Sequence, residues 1–333
     1  MSTTVGTEQP AAEGRPAPAR RRRRRWLSWT VVALLALWAV IRAGGLEQGS
    51  FVTQLMTVTP YGVVLAALTA VLLIRRNRPA ALVAALACSV LAACVLPRMT
   101  VAEQPAANGA PLRVLTVNLF GRADARTVAD LVREYDVEVF TALELTPAAV
   151  ERLDAAGLNQ LLPYRVLKAE PGAIGSGIYA KHPVTELTGL FTAIGHNMPA
   201  ASMTLPGGSK VEIVAIHPNP PLGRMEAEWN AALRALPSPS EGRAGSAIRV
   251  LAGDFNASLD HRAFRDLLDR GYVDAADQVG KGLVPTWPNF RAIPPIIAID
   301  HVVADRRVAV RRVEVADVPG TDHRGVFAEL RLP

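Results

Sequence analysis

Cysteine is scarce in this chain: only two occur among its 333 residues, Cys88 and Cys94. They lie six residues apart in one apolar stretch, a spacing that places them on different faces of a helix, so a disulfide between them is not expected. The residues that follow must therefore fold without disulfides. About 225 residues are enough for a hydrophobic core that needs no such support.

Acidic residues are scarce in the N-terminal part. Residues 1–99 contain three of them against twelve basic residues, whereas the rest of the chain contains 27 against 24. The formal net charge of +6 therefore belongs to the N-terminal part. The larger C-terminal part lacks the basic excess of proteins that bind a nucleic-acid backbone, which argues against nucleic acid as a partner.

Charged side chains are also missing from three long apolar stretches, and we predict transmembrane helices at about residues 26–45, 54–74 and 79–97. A signal peptide is the alternative for the first stretch, because six arginines precede it. The two further stretches, and the poor cleavage site after Ile41, favour a span. Buried helices of a soluble protein are another alternative, but three such stretches in a row are unusual for a globular core.

Basic residues set the predicted orientation. Arg20–Arg25 precede the first stretch, and three arginines at 75–78 lie between the second and third. Because cytoplasmic loops carry the excess of basic residues, both segments are expected in the cytoplasm and everything after the third stretch outside the cell membrane. The first arginine run could instead bind nucleic acid or anionic lipid. The predicted organisation is a disordered cytoplasmic tail (1–25), a transmembrane region (26–98), a linker (99–111) and an extracytoplasmic folded domain (112–333).

From Leu112 onward, short apolar runs alternate with helical patterns. Leu222, Met225 and Trp229 recur at helical spacing, as do Phe264 and Leu267. These stripes predict core-facing helices over about 222–236 and 260–270. Strands are predicted at residues 112–117, 137–143, 177–180, 211–216, 248–252, 298–303 and 325–330.

Polar residues are predicted to lie at the C-terminal ends of apolar strands. Any one of them has a local explanation, such as an Asx-turn at Asp254 and Asn256. Six sites of this kind in one chain indicate more, because acids, amides and imidazoles gathered at one edge of a sheet would be costly to bury without a function. The residues are Asn118, Glu144, His217, Asp254 with Asn256, Asp300 with His301, and Asp322 with His323.

This ordered set resembles the endonuclease/exonuclease/phosphatase (DNase I-like) family. The most specific pieces are GDFN at 253–256 and TDHRGV at 321–326. The resemblance implies an α/β fold, a four-layer α/β/β/α sandwich of two mixed sheets, from about Leu112 to the C-terminus. With three preceding spans, the chain looks most similar to VanJ-type membrane phosphohydrolases associated with teicoplanin resistance.

The resemblance also implies a role for each residue. Asp254 would orient or deprotonate the attacking water, and Asn256 would hydrogen-bond the phosphoryl oxygens. His217 and His323 would contact the phosphate, with His323 held by Asp300. The implied catalytic set is His217, Asp254, Asn256, Asp300 and His323, and the implied ligands of Mg²⁺, with Mn²⁺ as an alternative, are Glu144, Asn118 and Asp322.

Other positions are interpreted as structural or remain open. Leu119 follows Asn118 where nuclease-type members often carry a polar residue soon after, which leaves a second metal site there in doubt. His301 is interpreted as a packed strand histidine and His182 as structural. Trp287 resembles the family's loop tryptophan and would either form a wall of the site or only pack.

The sequence thus predicts a membrane-anchored, extracytoplasmic, divalent-metal-dependent phosphohydrolase. Its substrate would be a phosphate or pyrophosphate ester at the membrane surface, such as a lipid-linked cell-wall intermediate, and its partners would be membrane lipids. Alternatives are an extracellular Mg²⁺-dependent nuclease, a sphingomyelinase-like phosphodiesterase, and a membrane scaffold with an inactive phosphoesterase fold.

Overall fold

A computed structural model describes residues 18–239, 246–290 and 292–333, with side chains from Arg25 onward. The first 17 residues of the predicted cytoplasmic tail lie outside the described residues. The N-terminal helices are α1 (Pro18–Gly44), α2 (Ser50–Thr57), α3 (Thr59–Leu73) and α4 (Arg78–Val95), followed by a 3₁₀ turn (Leu96–Met99).

Two helical stretches in the described residues are long and apolar enough to cross a membrane by themselves, Arg25–Gly44 and Arg78–Met99. The second predicted span is a bent pair rather than one straight helix, because α2 and α3 meet at 76°. Pro60 causes the break, since it has no N–H to continue a helix and suits the first turn of a new one. Counting the pair as one span gives three candidates.

The described residues from 111 onward form two mixed six-stranded sheets with flanking helices, which confirms the predicted α/β fold; we call this part the two-sheet domain. The first sheet has the order β11-β12-β1-β2-β4-β3 and the second β5-β6-β7-β8-β10-β9. The strands are β1 (Pro111–Asn118), β2 (Val139–Leu143), β3 (Tyr164–Lys168), β4 (Ser176–Ala180), β5 (Val184–Glu186), β6 (Ala200–Thr204), β7 (Lys210–Ile216), β8 (Ile248–Asp254), β9 (Tyr272–Asp274), β10 (Asp300–Asp305), β11 (Ala309–Asp317) and β12 (Arg324–Arg331).

Three hydrophobic layers hold this domain together. Val114 and Val250 belong to the layer between the sheets. Phe140 packs on the outer face of the first sheet, and Trp229 and Phe264 pack on that of the second. Alternate strand residues thus reach opposite layers, as the pleat requires. The remaining helices are α5 (Ala125–Glu134), α6 (Pro147–Ala155), α7 (Leu158–Leu161), α8 (Met225–Ala235), α9 (Arg262–Asp269) and α10 (Ala275–Gln278).

The topology brings the polar strand ends to one edge. β1 runs parallel to β2 in one sheet, and β7 runs parallel to β8 in the other. Strands β10 and β12 run antiparallel to β8 and β1, so their first residues lie at the same edge as the last residues of the parallel strands. The prediction of C-terminal strand ends is therefore wrong for Asp300 with His301, which begin β10, and for Asp322 with His323, which precede β12. Both sheets therefore contribute side chains to one cluster.

The helices and the two-sheet domain meet at a buried ion cluster, which we call the Asp260 junction (Asp260, Arg42 and Arg98). Arg98 donates from Nη1 to Asp260 Oδ2 at 2.8 Å and from Nη2 to Oδ1 at 2.7 Å, and Arg42 Nε also donates to Oδ1. All three side chains are buried. The residues predicted as a linker lie along the domain, where Ala102 N donates to Gln278 O and Gly109 N to Leu332 O.

Candidate functional site

Asn118 lies at the centre of the strand-end cluster. Its Nδ2 donates to Glu144 Oε1 at 3.1 Å and to Asp254 Oδ2 at 3.2 Å, and it lies 3.5 Å from His323 Nε2. Its Oδ1 accepts from the backbone N–H of Phe120 at 3.0 Å. Asn118 thus holds two carboxylates together, and its amide would have to turn over to offer its oxygen to a metal.

Two residues of the site have left-handed backbone conformations. Glu144 directly follows β2 with φ of 51°, and Asn256 follows β8 with φ of 49°. Asparagine tolerates this region, but glutamate rarely adopts it, and the strain at Glu144 costs roughly 1–3 kcal/mol. The strain identifies Glu144 as a candidate for function.

Asp254 ends β8 and is buried. Its Oδ1 accepts from Asn256 N at 2.8 Å, and its Oδ2 lies 3.7 Å from His323 Nε2 and 3.8 Å from His217 Nε2. Burial raises the pKa of Asp254, and the Asp300 carboxylate adds to this, while His323 opposes it. A carboxylate with a raised pKa is a stronger base than an exposed one, as proton abstraction from water requires.

His323 lies between two carboxylates. Its Nδ1 bonds Asp300 Oδ2 at 2.9 Å, and Asp300 stands directly opposite Asp254 in the β8–β10 ladder. Burial by itself lowers the pKa of His323, but Asp300 and Asp254 outweigh it and raise the pKa to about 10. The ring is therefore an imidazolium at neutral pH, a cation that separates two acids and can bind an anion.

His217, at the end of β7, has a histidine partner that the sequence did not indicate. Its Nδ1 lies 3.1 Å from Nδ1 of His196, and the ring centroids are 4.5 Å apart. Burial lowers the pKa of His217 well below its ordinary value, and the nearby His196 and His323 lower it further. His217 is therefore neutral. His196 lies in an irregular loop between β5 and β6, where no strand pattern marks it.

Asp322 and Trp287 form another wall of the site. The indole Nε1 of Trp287 donates to Asp322 Oδ2 at 3.2 Å, and its ring centroid is 6.4 Å from that of His323. The backbone N–H of Asn289 donates to Asp322 O at 2.7 Å. Of the two roles open to Trp287, the structure places it beside the site.

The remaining predicted positions are arranged as follows. Asn256 Nδ2 donates to Pro218 O at 3.1 Å, so its amide ties together the loops after β7 and β8. Phe255, which lies between Asp254 and Asn256 in the sequence, is buried against Phe264. His301 is a packed histidine, as predicted, with Nδ1 on Asp274 Oδ2 and Nε2 on Ala257 O. His182 lies near Glu138, outside the cluster.

Two groups of side chains offer ligands for a divalent ion. Asp254, Asp300 and His323 are buried and each offers a ligand atom within 4.8 Å of the others, while His323 Nδ1 and Asp300 Oδ2 are hydrogen-bonded to each other. In the second group, Asp322 Oδ1 has no hydrogen-bond partner among the described residues and lies 4.0 Å from His323 Nε2; Asp300 Oδ1 of the first group has no hydrogen-bond partner either. Burial raises the pKa of the neighbouring Glu144, and Asp322 raises it further.

The second group fits a hard cation better, because both of its members are carboxylates, whereas the first group includes His323. Asp322 Oδ1, which has no hydrogen-bond partner and lies near the Glu144 carboxylate, is an oxygen that a divalent ion would neutralise. Mg²⁺ takes one or two carboxylates and keeps several waters, so Glu144 and Asp322 are a sufficient protein contribution.

Comparisons with known proteins agree with this geometry. The sequence pattern of the Endonuclease/Exonuclease/phosphatase family matches residues 115–323. A humanised TDP2 of D. rerio superposes with a TM-score of 0.52 at 18% identity, over 66% of this chain and 99% of that one. A family member from Bacteroides thetaiotaomicron gives 0.50 at 14% identity, over 68% and 99%. D. rerio TDP2 complexed with a single-strand DNA product gives 0.51 at 18% identity, over 67% and 99%. No curated protein matches the chain.

Proposed function

Because this chain belongs to the endonuclease/exonuclease/phosphatase family, whose members hydrolyse phosphoester bonds, we propose that it is a membrane-anchored, divalent-metal-dependent phosphohydrolase. One observation carries this: Asn118 links Glu144 and Asp254 in one buried cluster that also holds the Asp300–His323 pair. Acids gathered in this way can hold a cation that neutralises the charge of the phosphate, and can accept a proton from the attacking water. Positioning and charge neutralisation are the main requirements of phosphoryl transfer.

The metal would be held by Glu144 and Asp322, with Asn118 steadying Glu144 or turning over to join them. Mg²⁺ is the expected ion, with Mn²⁺ as an alternative, since all the protein donors are oxygen atoms. When bound, the ion would polarise a phosphoryl oxygen and neutralise its charge.

The other residues would bind phosphate and move a proton. The His323 imidazolium, fixed by Asp300, would bind a phosphoryl oxygen as a charged donor. The neutral His217 would supply a second contact. Asp254, with its raised pKa, would accept a proton from the attacking water. Asn256 would hydrogen-bond the phosphoryl oxygens with the N–H that is not engaged by Pro218.

The proposed substrate is a phosphate or pyrophosphate ester of a membrane lipid, such as a lipid-linked cell-wall intermediate of the teicoplanin-resistance type. The apolar stretches Arg25–Gly44 and Arg78–Met99 support an anchor, and the Asp260 junction holds the two-sheet domain directly on them. With the arginine-rich segments in the cytoplasm, this domain would lie outside the cell membrane.

The test is phosphate release by the full chain in vesicles with Mg²⁺, from a lipid pyrophosphate and from a soluble phosphomonoester. We expect Asp254→Asn to reduce the rate by roughly 10²–10⁴-fold, the range for loss of a positioned acid–base group. We also expect Glu144→Gln to reduce the rate strongly, because it removes a charged ligand of the ion. Glu151→Gln and Asp130→Asn, at exposed helix positions, are the matched controls. Wild-type rates in both site variants would refute the assignment, as would full activity in EDTA.

A second candidate is a nuclease, which one observation favours. An open cleft of about 530 Å³ is lined by Arg122, Arg126 and Arg152, next to the loops that carry Asn118 and His323. Three cations there could accept a second anionic group. The slight acidic excess of the C-terminal part favours a lipid phosphate over a nucleic-acid strand. Cleavage of a single-stranded DNA oligonucleotide in the same assay, exceeding hydrolysis of the lipid and of a sphingomyelin-type diester, would reverse this choice.

A further inference from the structure

A hairpin joins the candidate site to the membrane helices. Trp287 pairs with Ile297, and Phe290 pairs with Ile293 farther along; we call the described residues 287–290 and 292–297 the site hairpin. Its first strand holds Asp322 through Trp287 Nε1. Its second strand contacts α3, where Tyr61 Oη donates to Ile296 O at 2.8 Å. The hairpin therefore has one end in the site and the other on a helix that we propose to be in the membrane.

The loop after β7 makes a second connection of this kind. Pro218 follows His217 and accepts a hydrogen bond from Asn256. Three residues later, Pro221 O accepts from Ser50 Oγ of α2 at 2.9 Å, and Gly223 N donates to the same hydroxyl at 2.8 Å. Two loops that form the site thus rest on the outer ends of the helices.

Most of the exposed large apolar side chains described in the two-sheet domain lie at these two connections. Among its described residues, eight large apolar side chains are exposed, and five of them lie on the site hairpin or at the loop before α8. Their exposed fractions run from 37% to 48%. We call these five the apolar rim: Leu222, Met225, Phe290, Ile293 and Ile296.

Helix α2 adjoins the loop after β7 through Ser50. It is bent by 76° from α3 and buries Thr53 and Met56, while Phe51 is 80% exposed. A short helix at a steep angle to a span, with an exposed aromatic ring, is the arrangement of a segment that lies in the interface plane. Phe51 is next in sequence to the serine that contacts the loop bearing Leu222.

We infer that the apolar rim is embedded in the boundary between head groups and acyl chains of the bilayer, so that the site edge faces the membrane surface. This inference rests on the membrane anchoring proposed above. Apolar side chains at a membrane boundary lose contact with water as they would in a core, which explains why five of them are tolerated beside a polar site. The phosphate of a lipid head group then lies at the level of the site, whereas a soluble substrate must diffuse to an edge that the bilayer partly covers.

The direct test is spin-label accessibility on the full chain in phosphatidylcholine/phosphatidylglycerol vesicles. Labels would be placed at Phe290→Cys and Ile293→Cys in a Cys88→Ala/Cys94→Ala background. The control is Tyr164→Cys, an exposed ring on the edge strand β3. We expect labels at 290 and 293 to collide more with oxygen, which concentrates in lipid, than with a water-soluble nickel chelate. The same oxygen-to-nickel ratio as at position 164 would overturn the inference.

An activity ratio gives an independent test. Phe290→Ser/Ile293→Ser changes only exposed side chains, so the soluble phosphomonoester should be hydrolysed at the wild-type rate. Hydrolysis of a vesicle-embedded lipid pyrophosphate should fall roughly tenfold, since two apolar anchors are lost. An equal loss of rate with both substrates would contradict the inference that the apolar rim is embedded in the bilayer. If the unaltered chain hydrolyses neither substrate, the proposed function fails, while the spin-label result still decides whether the rim is embedded.

Discussion

The N-terminal helices and the two-sheet domain distribute apolar residues in opposite ways. In α4, Leu82 and Leu86 are exposed while Ala80, Ala84 and Ala87 are buried between helices. In the two-sheet domain, the large side chains such as Phe140 and Trp229 are inside. Small residues at helix contacts are typical of packing in lipid, where the surroundings are as apolar as leucine, although Leu91 of α4 is buried as well. The difference between the two regions supports the membrane anchoring proposed above.

The Asp260 junction connects the N-terminal helices with the two-sheet domain. Arg42 and Arg98 lie at the helix ends predicted to be outside, where basic residues are not favoured by topology. Burial by itself would raise the pKa of Asp260, but the hydrogen bonds and charges of Arg98 and Arg42 hold that pKa below its ordinary value. The carboxylate therefore stays ionised and is shared by two arginines from different helices.

Removing Asp260 should cause the largest loss of stability, because it leaves two buried arginines without their anion. For Asp260→Ala we expect the free energy of unfolding to fall by about 3–5 kcal/mol, the range for breaking a buried pair by deleting one partner. Thermal unfolding of the full chain in detergent measures this. Asp266→Ala, which removes a surface partner of Arg262, is the control and should change little. Equal shifts for the two variants would show that the junction does not hold the regions together.

The sequence predicted the centre of each sheet better than its edges. All seven predicted strands exist, and the five that were missed include β3, β5, β9 and β11. These four are the outermost strands of the two sheets. An edge strand is covered on fewer sides, so polar residues interrupt its apolar pattern, as in AVRRVEVAD of β11. The fifth, β6, consists largely of small residues that lack strand propensity.

The site was predictable only where a strand pattern pointed to it. Asn118, Glu144 and Asp254 each end an apolar run, and the topology brings such ends together. His196 lies in an irregular loop, and its contact with His217 depends on how that loop folds back. The Asp260 junction joins residues more than 160 positions apart and has no local pattern. Long-range contacts between irregular segments leave no period in the sequence.

A second, smaller effect would test the lipid-type packing of the helices. Ala84 is fully buried against α1, so Ala84→Leu should overpack the contact and cost about 1–3 kcal/mol of unfolding free energy. Leu86→Ala, at an exposed position of the same helix, is the reverse change and should be nearly neutral in a bilayer. Unfolding in vesicles measures both. A costly Leu86→Ala and a harmless Ala84→Leu would mean that α4 packs as in a soluble protein.

The smallest effect at neutral pH is expected for Asp300→Asn in the metal-free protein. Asparagine keeps an oxygen that accepts from His323 Nδ1, and the change removes a negative charge that raises the pKa of Asp254. The substitution weakens the hydrogen bond with His323 but relieves the repulsion between Asp300 and Asp254. These two effects oppose each other, so we expect the free energy of unfolding to fall by about 1 kcal/mol.

The pH dependence of the unfolding free energy would show how much of the effect comes from the charge of His323. The pKa of His323 is raised to about 10 in the fold, against an ordinary value near 6.5, so its protonation stabilises the fold fully below about pH 6.5 and is lost as the pH rises through 10. With Asp300 replaced, the folded-state pKa of His323 is lower, so the variant stops losing stability at a lower pH. The wild-type protein keeps losing stability up to about pH 10, and the stability gap between the two proteins should therefore narrow as the pH rises towards 10. Histidine side-chain NMR in EDTA measures the pKa directly. An unchanged pKa of His323 in Asp300→Asn would show that Asp254, rather than Asp300, keeps the His323 ring protonated.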